Sequence, residues 1–297
     1  MPELPEVETM CRGIGGCVGR RIAAARFPRS RVRPIAVAPG PAAVARAITG
    51  RTIAGVGRRG KRVVLELAAP AAAPAWLVIE PRMTGLMLVA EPPSAEHVRL
   101  DLALAGGGGA GPRRLLFWDQ RGLGTIRLVD ARGLERACGV AKLGPDGLVI
   151  TAAEFAASLG RSRRAVKVAL LDQRAVAGIG NIYAAEILFR AGIDPRTPCR
   201  RLRQDAWDRI ARCTRAVLAE AVRHEGSSIG DELYRTAAGV PGRFQKRHRV
   251  YGREGRPCRR CRTPIVRTVQ AQRSTFFCPT CQVRPGSRRL ACGSAMP

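Results

Sequence analysis

Four cysteines near the end of the chain constrain its fold more than any other feature. Cys258 and Cys261 are separated by two residues, sixteen residues follow, and Cys278 and Cys281 repeat the spacing. Two Cys-x2-Cys knuckles present four thiolates in the tetrahedral arrangement that one structural zinc ion (Zn2+) prefers. No ligand position is left open, so such an ion holds a fold and performs no chemistry. The remaining cysteines (Cys11, Cys17, Cys138, Cys199, Cys213, Cys292) show no spacing of a disulfide framework. In a reducing compartment they read as small apolar residues.

The surroundings of the quartet are strongly basic. Arg243 to Leu290 carry fourteen basic residues and one acid, and the whole chain carries 51 against 23, a formal charge of +28. That excess argues against a binder of acidic ligands or a neutral metabolic enzyme and points to a polyanion, either nucleic acid or an anionic membrane surface. A stapled hairpin bearing Arg259, Arg260, Arg262, Arg267 and Arg273 would offer guanidinium groups to phosphates; the plain alternative is a solvated basic face. Only Lys61, Lys142, Lys167 and Lys246 are lysines. Arginine in such excess beside so much Ala and Gly resembles a codon-composition bias, which makes each lysine more worth explaining. No apolar run approaches the roughly 18–20 residues that span a bilayer. Glu3, Glu6 and Glu8 stand where a secretory signal would be basic, so a cytoplasmic protein with no membrane partner is expected.

The apolar fraction of 46% is ample for a core over 297 residues, enough for two ordinary domains or one with an appendage. Residues 1–135 are expected to form a β-sandwich or barrel opened by one helix near Glu6 to Gly15. Strand-length apolar stretches run Val63–Leu67, Trp76–Ile79, Val98–Leu104, Arg114–Trp118 and Thr125–Val129, and Gly106 to Gly109 reads as a hairpin loop. From 150 to 245 the pattern is helical. Trp207, Ile210, Ala211, Thr214, Leu218, Ala221 and Val222 repeat at helical spacing with Gly226 placed as a cap, after shorter helices at Arg164–Gln173 and Ile182–Arg190. The cysteine hairpin occupies 248–284, and 285–297 has too few apolar residues to pack and is expected to be a disordered tail. The class is thus α+β and multidomain.

Two further segments can carry chemistry. Ala177-Gly-Ile-Gly-Asn181 turns between helices and would set backbone N–H groups and the Asn181 amide at a helix N-terminus, where phosphate binds well; a plain turn between helices is the alternative. At the amino terminus, removal of Met1 is expected before the small Pro2 and leaves a secondary amine. An α-amine has a pKa near 8, so part of it is an unprotonated nucleophile at neutral pH, able to form an iminium with a sugar aldehyde. Glu3 and Glu6 lie close enough in sequence to supply a proton. From these residues alone an ordinary polar terminus is the favoured reading.

Taken together, Met-Pro-Glu-Leu-Pro-Glu-Val-Glu-Thr at 1–9, Arg58-Arg-Gly-Lys61, Leu170-Leu-Asp-Gln173 followed by Gly178-Ile-Gly-Asn-Ile-Tyr183, Val250-Tyr-Gly-Arg253, and Gln272-Arg-Ser-Thr-Phe276 within the cysteine hairpin resemble the formamidopyrimidine-DNA glycosylase (Fpg) family over nearly the whole chain to Cys281. The resemblance implies a bacterial base-excision repair enzyme that removes oxidised purines from duplex DNA and cuts the strand at the abasic site. It implies an N-terminal β-sandwich, a helix–two-turns–helix domain and a zinc-finger β-hairpin. By residue it implies Pro2 as the nucleophile on C1′, Glu3 as the acid on the sugar, and Lys61 as an aid to base loss and β-elimination. Arg273 matches an arginine on the phosphates that assists δ-elimination, and Asn181 a phosphate ligand. His97, Arg121 and Arg163 match positions that contact DNA. Met83, Arg121 and Leu123 match the side chains that fill the void left by an everted nucleotide.

The match is imperfect. Where the family has an aromatic wedge, Arg121-Gly-Leu123 offers leucine, which is smaller and cannot stack. The usual His-Leu-Gly-Met-Ser-Gly is replaced by Glu80-Pro-Arg-Met-Thr-Gly85, and a basic cluster is reduced to Arg161-Ser-Arg163-Arg164. These changes bear on substrate preference and leave Pro2, Glu3 and Lys61 in place. Two alternatives stand beside the purine glycosylase: an endonuclease VIII-like enzyme for oxidised pyrimidines, against which Leu4 speaks because that branch typically has glycine there, and a lesion-binding protein without catalysis. The enzyme is expected to act as a monomer.

Overall fold

The computed structural model describes residues 2–30, 33–70, 72–106, 111–230 and 233–283. The expected tail at 285–297 and most of the Gly106 to Gly109 loop lie outside the described residues. The chain divides into two compact units, Met1–Lys142 with Ala221–Gln245, and Leu143–Glu220 with Lys246–Pro297.

The first unit opens with helix α1 (Leu4–Gly13), which Glu3 and Glu6 start as a reciprocal capping box with Pro5 in the first turn. Its buried face is Leu4, Val7, Met10 and Cys11. Nine strands follow: β1 (Arg21–Arg26), β2 (Ala36–Ala38), β3 (Thr52–Arg59), β4 (Arg62–Ala69), β5 (Ala72–Glu80), β6 (Gly85–Leu88), β7 (Val98–Ala105), β8 (Arg114–Asp119) and β9 (Thr125–Val129). Helices α2 (Pro41–Ile48) and α3 (Ala131–Cys138) are interspersed. Hydrogen bonding runs in the order β2-β9-β5-β4-β3-β1-β7-β8-β6. The ribbon narrows to a single pair, Arg21↔Thr52, between β3 and β1. On either side of that seam, Leu65, Leu77 and Ile126 from one half share one core with Leu88, Leu102 and Leu115 from the other. This is the expected sandwich.

All five expected strand stretches are strands, most of them extended by one or more residues. Helices α2 and α3 were not foreseen, although Pro41 in the first turn of one and the Asp130 side chain accepting from the Gly133 amide of the other are ordinary start signals.

The second unit holds α4 (Ala152–Leu159), α5 (Val166–Ala169), α6 (Asn181–Ala191) and most of α7 (Gln204–Arg223), then the antiparallel hairpin β10 (Val266–Gln270) and β11 (Arg273–Phe277). The helix expected over Arg164–Gln173 is a single turn. Its continuation is lost because Asp172 accepts the Arg174 amide, while Gln173 donates to the carbonyls of Leu171 and Ile179 and accepts from the Gly178 amide. Side chains that bond nearby backbone compete with the helix ladder.

The linear division at 245 also differs from the one in space. Beyond Gly226, which ends α7 with φ +76° and its amide on the Ala221 carbonyl, the chain packs on the sandwich. Val89 donates to the Ala237 carbonyl at 2.9 Å. A Cβ on Gly13 would lie 2.6 Å from that of Ala237, so only glycine allows the approach. Among the described residues no helix is long and apolar enough to cross a membrane.

Candidate active site

Pro2 is buried at the start of the sandwich unit and lines a small cavity with Met83, Leu86, Arg121, Ser227 and Tyr234. The capping box fixes its neighbours. The Glu6 carboxylate accepts the Glu3 amide with one oxygen and the Ser227 amide with the other, both at 2.8 Å. Gly226 makes this possible, since a Cβ there would lie 2.7 Å from Glu6 Oε1. Glu6 thus serves the backbone, joining the helix start to the 226–228 segment. Glu3, 1% exposed, is the second buried carboxyl of the capping box and the one adjacent to Pro2. The Tyr234 hydroxyl donates to the Glu6 carbonyl at 3.4 Å, and burial, aided by the Glu6 charge, pushes its pKa well above 10, so it stays protonated.

Lys61 sits half-buried in the two-residue turn between β3 and β4, where Gly60 takes φ +57°. A strut holds that turn. Arg58 donates to the Gly60 carbonyl at 3.0 Å and to Glu8 on α1 at 2.9 Å, and Arg12 takes the other Glu8 oxygen. Burial raises the Glu8 pKa, but the two guanidinium groups outweigh it and leave it below the usual carboxylate value.

The expected void-filling residues lie on two neighbouring turns. Met83 is 37% exposed on the turn before β6, and Arg121 is exposed and Leu123 half-buried on the turn after β8. Gly85 pairs with Asp119 where β6 meets β8. Arg82 adopts φ +56° and holds Glu80 at 3.2 Å, so this pair replaces the family's His and Gly with a surface ion pair. His97 is buried, edge-on to Trp118 at 5.6 Å, with Nε2 3.1 Å from Glu96.

In the second unit the glycine turn delivers Asn181 to the first turn of α6, with Gly180 as its extended cap. The Asn181 amide donates to the Ser274 carbonyl at 3.0 Å, and the fully buried Lys167 reaches the same carbonyl at 3.4 Å. Both therefore meet the strand that begins at Arg273, which is exposed at the hairpin tip. Arg163 is exposed ahead of α5.

At the hairpin base the sulfurs of Cys258, Cys261, Cys278 and Cys281 lie within 4.8 Å of one another. The Cys258–Cys281 and Cys261–Cys278 edges measure 3.9 and 3.4 Å. A tetrahedron with metal–sulfur bonds of about 2.3 Å has edges of about 3.8 Å. The Arg260 amide donates to Cys258 Sγ and the Cys281 amide to Cys278 Sγ, bonds that support thiolates. The donor set fits one structural zinc, held by all four cysteines.

Three family domains match in order: the formamidopyrimidine-DNA glycosylase N-terminal domain over residues 1–126, its H2TH domain over 143–232, and the zinc finger found in FPG and IleRS over 255–283. A formamidopyrimidine-DNA glycosylase from Chloroflexus aggregans is 43% identical over 293 residues, covering 95% of this chain and 99% of its own. The chain belongs to the formamidopyrimidine-DNA glycosylase family. The crystal structure of the MutM (Fpg) protein from Thermus thermophilus matches with a TM-score of 0.80 at 40% identity, over 95% of this chain and 98% of that one. A complex of the Lactococcus lactis Fpg with DNA containing an abasic site matches with a TM-score of 0.80 at 31% identity, over 95% and 99%.

Within this glycosylase fold the structure brings Pro2, Met83 and Arg121 to one cavity, and Asn181 to the strand that follows Arg273. Sequence reasoning missed Lys167, and its rarity among the basic residues was the available signal. The loop from Ser227 to Arg243 is expected from the sequence to lie by the everted base with no residue assigned, and the structure assigns Ser227 and Tyr234 to the Pro2 cavity; nothing local to Ser227 announces its contact with Glu6 more than two hundred residues away.

Proposed function

We propose that this member of the family is a bifunctional base-excision repair enzyme. It removes oxidised purines such as 8-oxoguanine and formamidopyrimidines from duplex DNA, then cleaves the strand by β,δ-elimination. The observation that carries the reading is Pro2: a buried proline, the amino terminus once Met1 is removed, that is directly followed by the buried Glu3 carboxyl and shares a cavity with Met83 and Arg121.

The chemistry follows from those groups. The lone pair of the Pro2 nitrogen forms a bond to C1′, and the C1′–N bond breaks with its electron pair leaving on the base, which ends with the proton that the Pro2 nitrogen gives up. Glu3 gives its proton to O4′ as the C1′–O4′ bond opens, producing an iminium between Pro2 and C1′. The iminium acidifies C2′; loss of that proton, with Lys61 as the assisting base, expels the 3′ phosphate. A second elimination expels the 5′ phosphate, and water then releases Pro2. Arg273 and Asn181 hold backbone phosphates, with Arg163 and His97 as further DNA contacts. Met83, Arg121 and Leu123 occupy the space of the everted nucleotide. Zinc takes no step; it holds the arm that carries Arg273. The enzyme acts as a monomer in this reading, and the substrate together with the bacterial relatives supports work in the cytoplasm on the nucleoid.

The test is borohydride reduction with an 8-oxoguanine·cytosine duplex. A trapped adduct mapped to Pro2 is expected, and Pro2→Gly should abolish it while retaining most DNA affinity. Undiminished trapping in the variant would overturn the nucleophile; trapping only on an oxidised-pyrimidine duplex would move the substrate to the other branch.

A further inference from the structure

The two turns that carry Met83 and Arg121 are not independent. Thr84, next to Met83, is 5% exposed, and Asp119, two residues before Arg121, is fully buried. The Thr84 hydroxyl donates to Asp119 Oδ1 and accepts the backbone amide of Arg121 at 3.0 Å. The other Asp119 oxygen accepts the Gly124 amide at 2.7 Å, so one carboxylate spans the 120–124 turn. Behind it, the buried Arg99 donates through Nε to the Asp119 carbonyl at 2.9 Å. Gly85 and Gly122 are both forced. A Cβ on Gly85 would lie 2.5 Å from the Pro81 carbonyl and 2.8 Å from the Phe117 ring. Gly122 has φ +60° and faces the Arg33 carbonyl.

We propose that Thr84 and Asp119 are positioning residues that lock the Met83 and Arg121 turns into one rigid wedge, so that the energy of inserting both side chains is available for everting the damaged nucleotide. The proposal rests on the reading of Met83 and Arg121 as void-filling residues. Three features point to coupling rather than to packing alone. The hydroxyl of the Met83 turn is used in both directions on the Arg121 turn, as donor to the Asp119 carboxylate and acceptor from the Arg121 amide. The relay is buried, where losing one partner strands the others. It also joins the two segments whose side chains must enter the duplex together. A wedge whose halves move separately would spend binding energy on ordering them at each encounter. A rigid relay also offsets the smaller Leu123, since the remaining two side chains are held in place.

The experiment compares two substrates, a duplex with 8-oxoguanine, which must be everted, and a duplex with a preformed abasic site, which has no base to evict. Thr84→Val removes the hydroxyl at nearly constant volume. Expected is a loss of about tenfold in kcat/KM on the lesion duplex, against no more than about threefold on the abasic duplex. Thr84→Ser should restore the lesion activity. A 2-aminopurine beside the lesion should report slowed unstacking in Thr84→Val only.

Equal losses on both substrates would mean a merely structural role and overturn the proposal, as would no loss on either. Met83→Ala and Arg121→Ala serve as controls. If they cut lesion excision while Thr84→Val does not, the coupling alone fails. If they too leave lesion excision intact, the void-filling reading fails with it.

Discussion

The sandwich and the cysteine hairpin each carry a residue of the proposed site, Pro2 in one and Arg273 in the other, and they secure it by opposite means. Pro2 rests on a core drawn from both halves of a nine-stranded sheet, and its neighbours are tied by backbone bonds to Glu6. Arg273 starts a strand in a two-stranded hairpin whose buried cluster is small: Val250, Cys258, Ile265, Phe276 and Cys278 with Ala185 and Phe189 of α6. Two strands and so few apolar residues do not hold together alone in water. The difference teaches where each region is vulnerable. The sandwich spreads its stability over many contacts, whereas the hairpin concentrates it in four sulfurs and one carboxylate.

Removing the metal should therefore separate the two regions most sharply. Chelation, or Cys258→Ser, is expected to unfold the hairpin and lower DNA affinity by about 100-fold or more, while the sandwich keeps its fold. Near-ultraviolet circular dichroism reads Trp76 and Trp118 in the sandwich, and a binding titration reads the arm. Unchanged binding with the zinc demonstrably gone would break the comparison.

The next effect concerns Glu186, which is buried on α6 and accepts the amides of Arg249, Val250 and Tyr251 at 2.8, 3.0 and 2.9 Å. Burial raises its pKa against those three donors. Glu186→Ala leaves three N–H groups without this acceptor, the one on Val250 buried, at a cost of roughly 1–3 kcal/mol to the helical unit. Glu186→Gln, which keeps one acceptor, should cost less. Denaturant midpoints of the two variants check the order.

The contrast also explains what was legible in the sequence. The zinc site was, because its ligands lie within 24 residues and metal chemistry fixes their spacing. The strand from Val98 was, because its alternation is local. Strand β1 was not, since Arg21-Ile-Ala-Ala-Ala-Arg26 buries only Ile22 fully and shows no clear period. The single turn at Val166–Ala169 was overcalled because helix propensity says nothing of Asp172 and Gln173 turning onto the backbone. The Pro2 cavity was half legible. Pro2, Glu3, Met83 and Arg121 are marked by motifs, but the segment that closes it returns through contacts that depend on Gly13 and Gly226 having no side chain, which only the folded chain reveals.

His248 sharpens the comparison through pH. Burial, with the charges of Arg259 and Arg253, lowers its pKa from 6.5 to about 4, against a backbone bond at Tyr251. Above pH 6.5 the imidazole is neutral folded or unfolded and its full contribution is present. As pH falls from 6.5 towards 4 the unfolded chain binds a proton that the folded chain refuses, so stability is lost across that window, by up to about 3 kcal/mol. His248→Phe keeps a ring against Tyr251 and should flatten this part of the pH–stability curve of the helical unit. An unchanged slope would assign the acid sensitivity to thiolate protonation instead.

The smallest effect lies at the hairpin tip. Ala271 and Gln272, the two residues between β10 and β11, have φ of +47° and +60°. Such a two-residue turn wants left-handed backbone at both positions, and alanine has neither the freedom of glycine nor the side-chain bond of asparagine to offset it. Ala271→Gly should relieve this strain by about 0.5–1 kcal/mol, seen as a higher midpoint for zinc-dependent unfolding. Its effect on DNA binding decides what the strain is for. If the more stable hairpin binds damaged duplex less tightly, the strained turn is part of how Arg273 is aimed. If affinity is unchanged, aim comes from Asn181 and Lys167 on the Ser274 carbonyl, and the zinc hairpin, like the sandwich, places its key residue from behind.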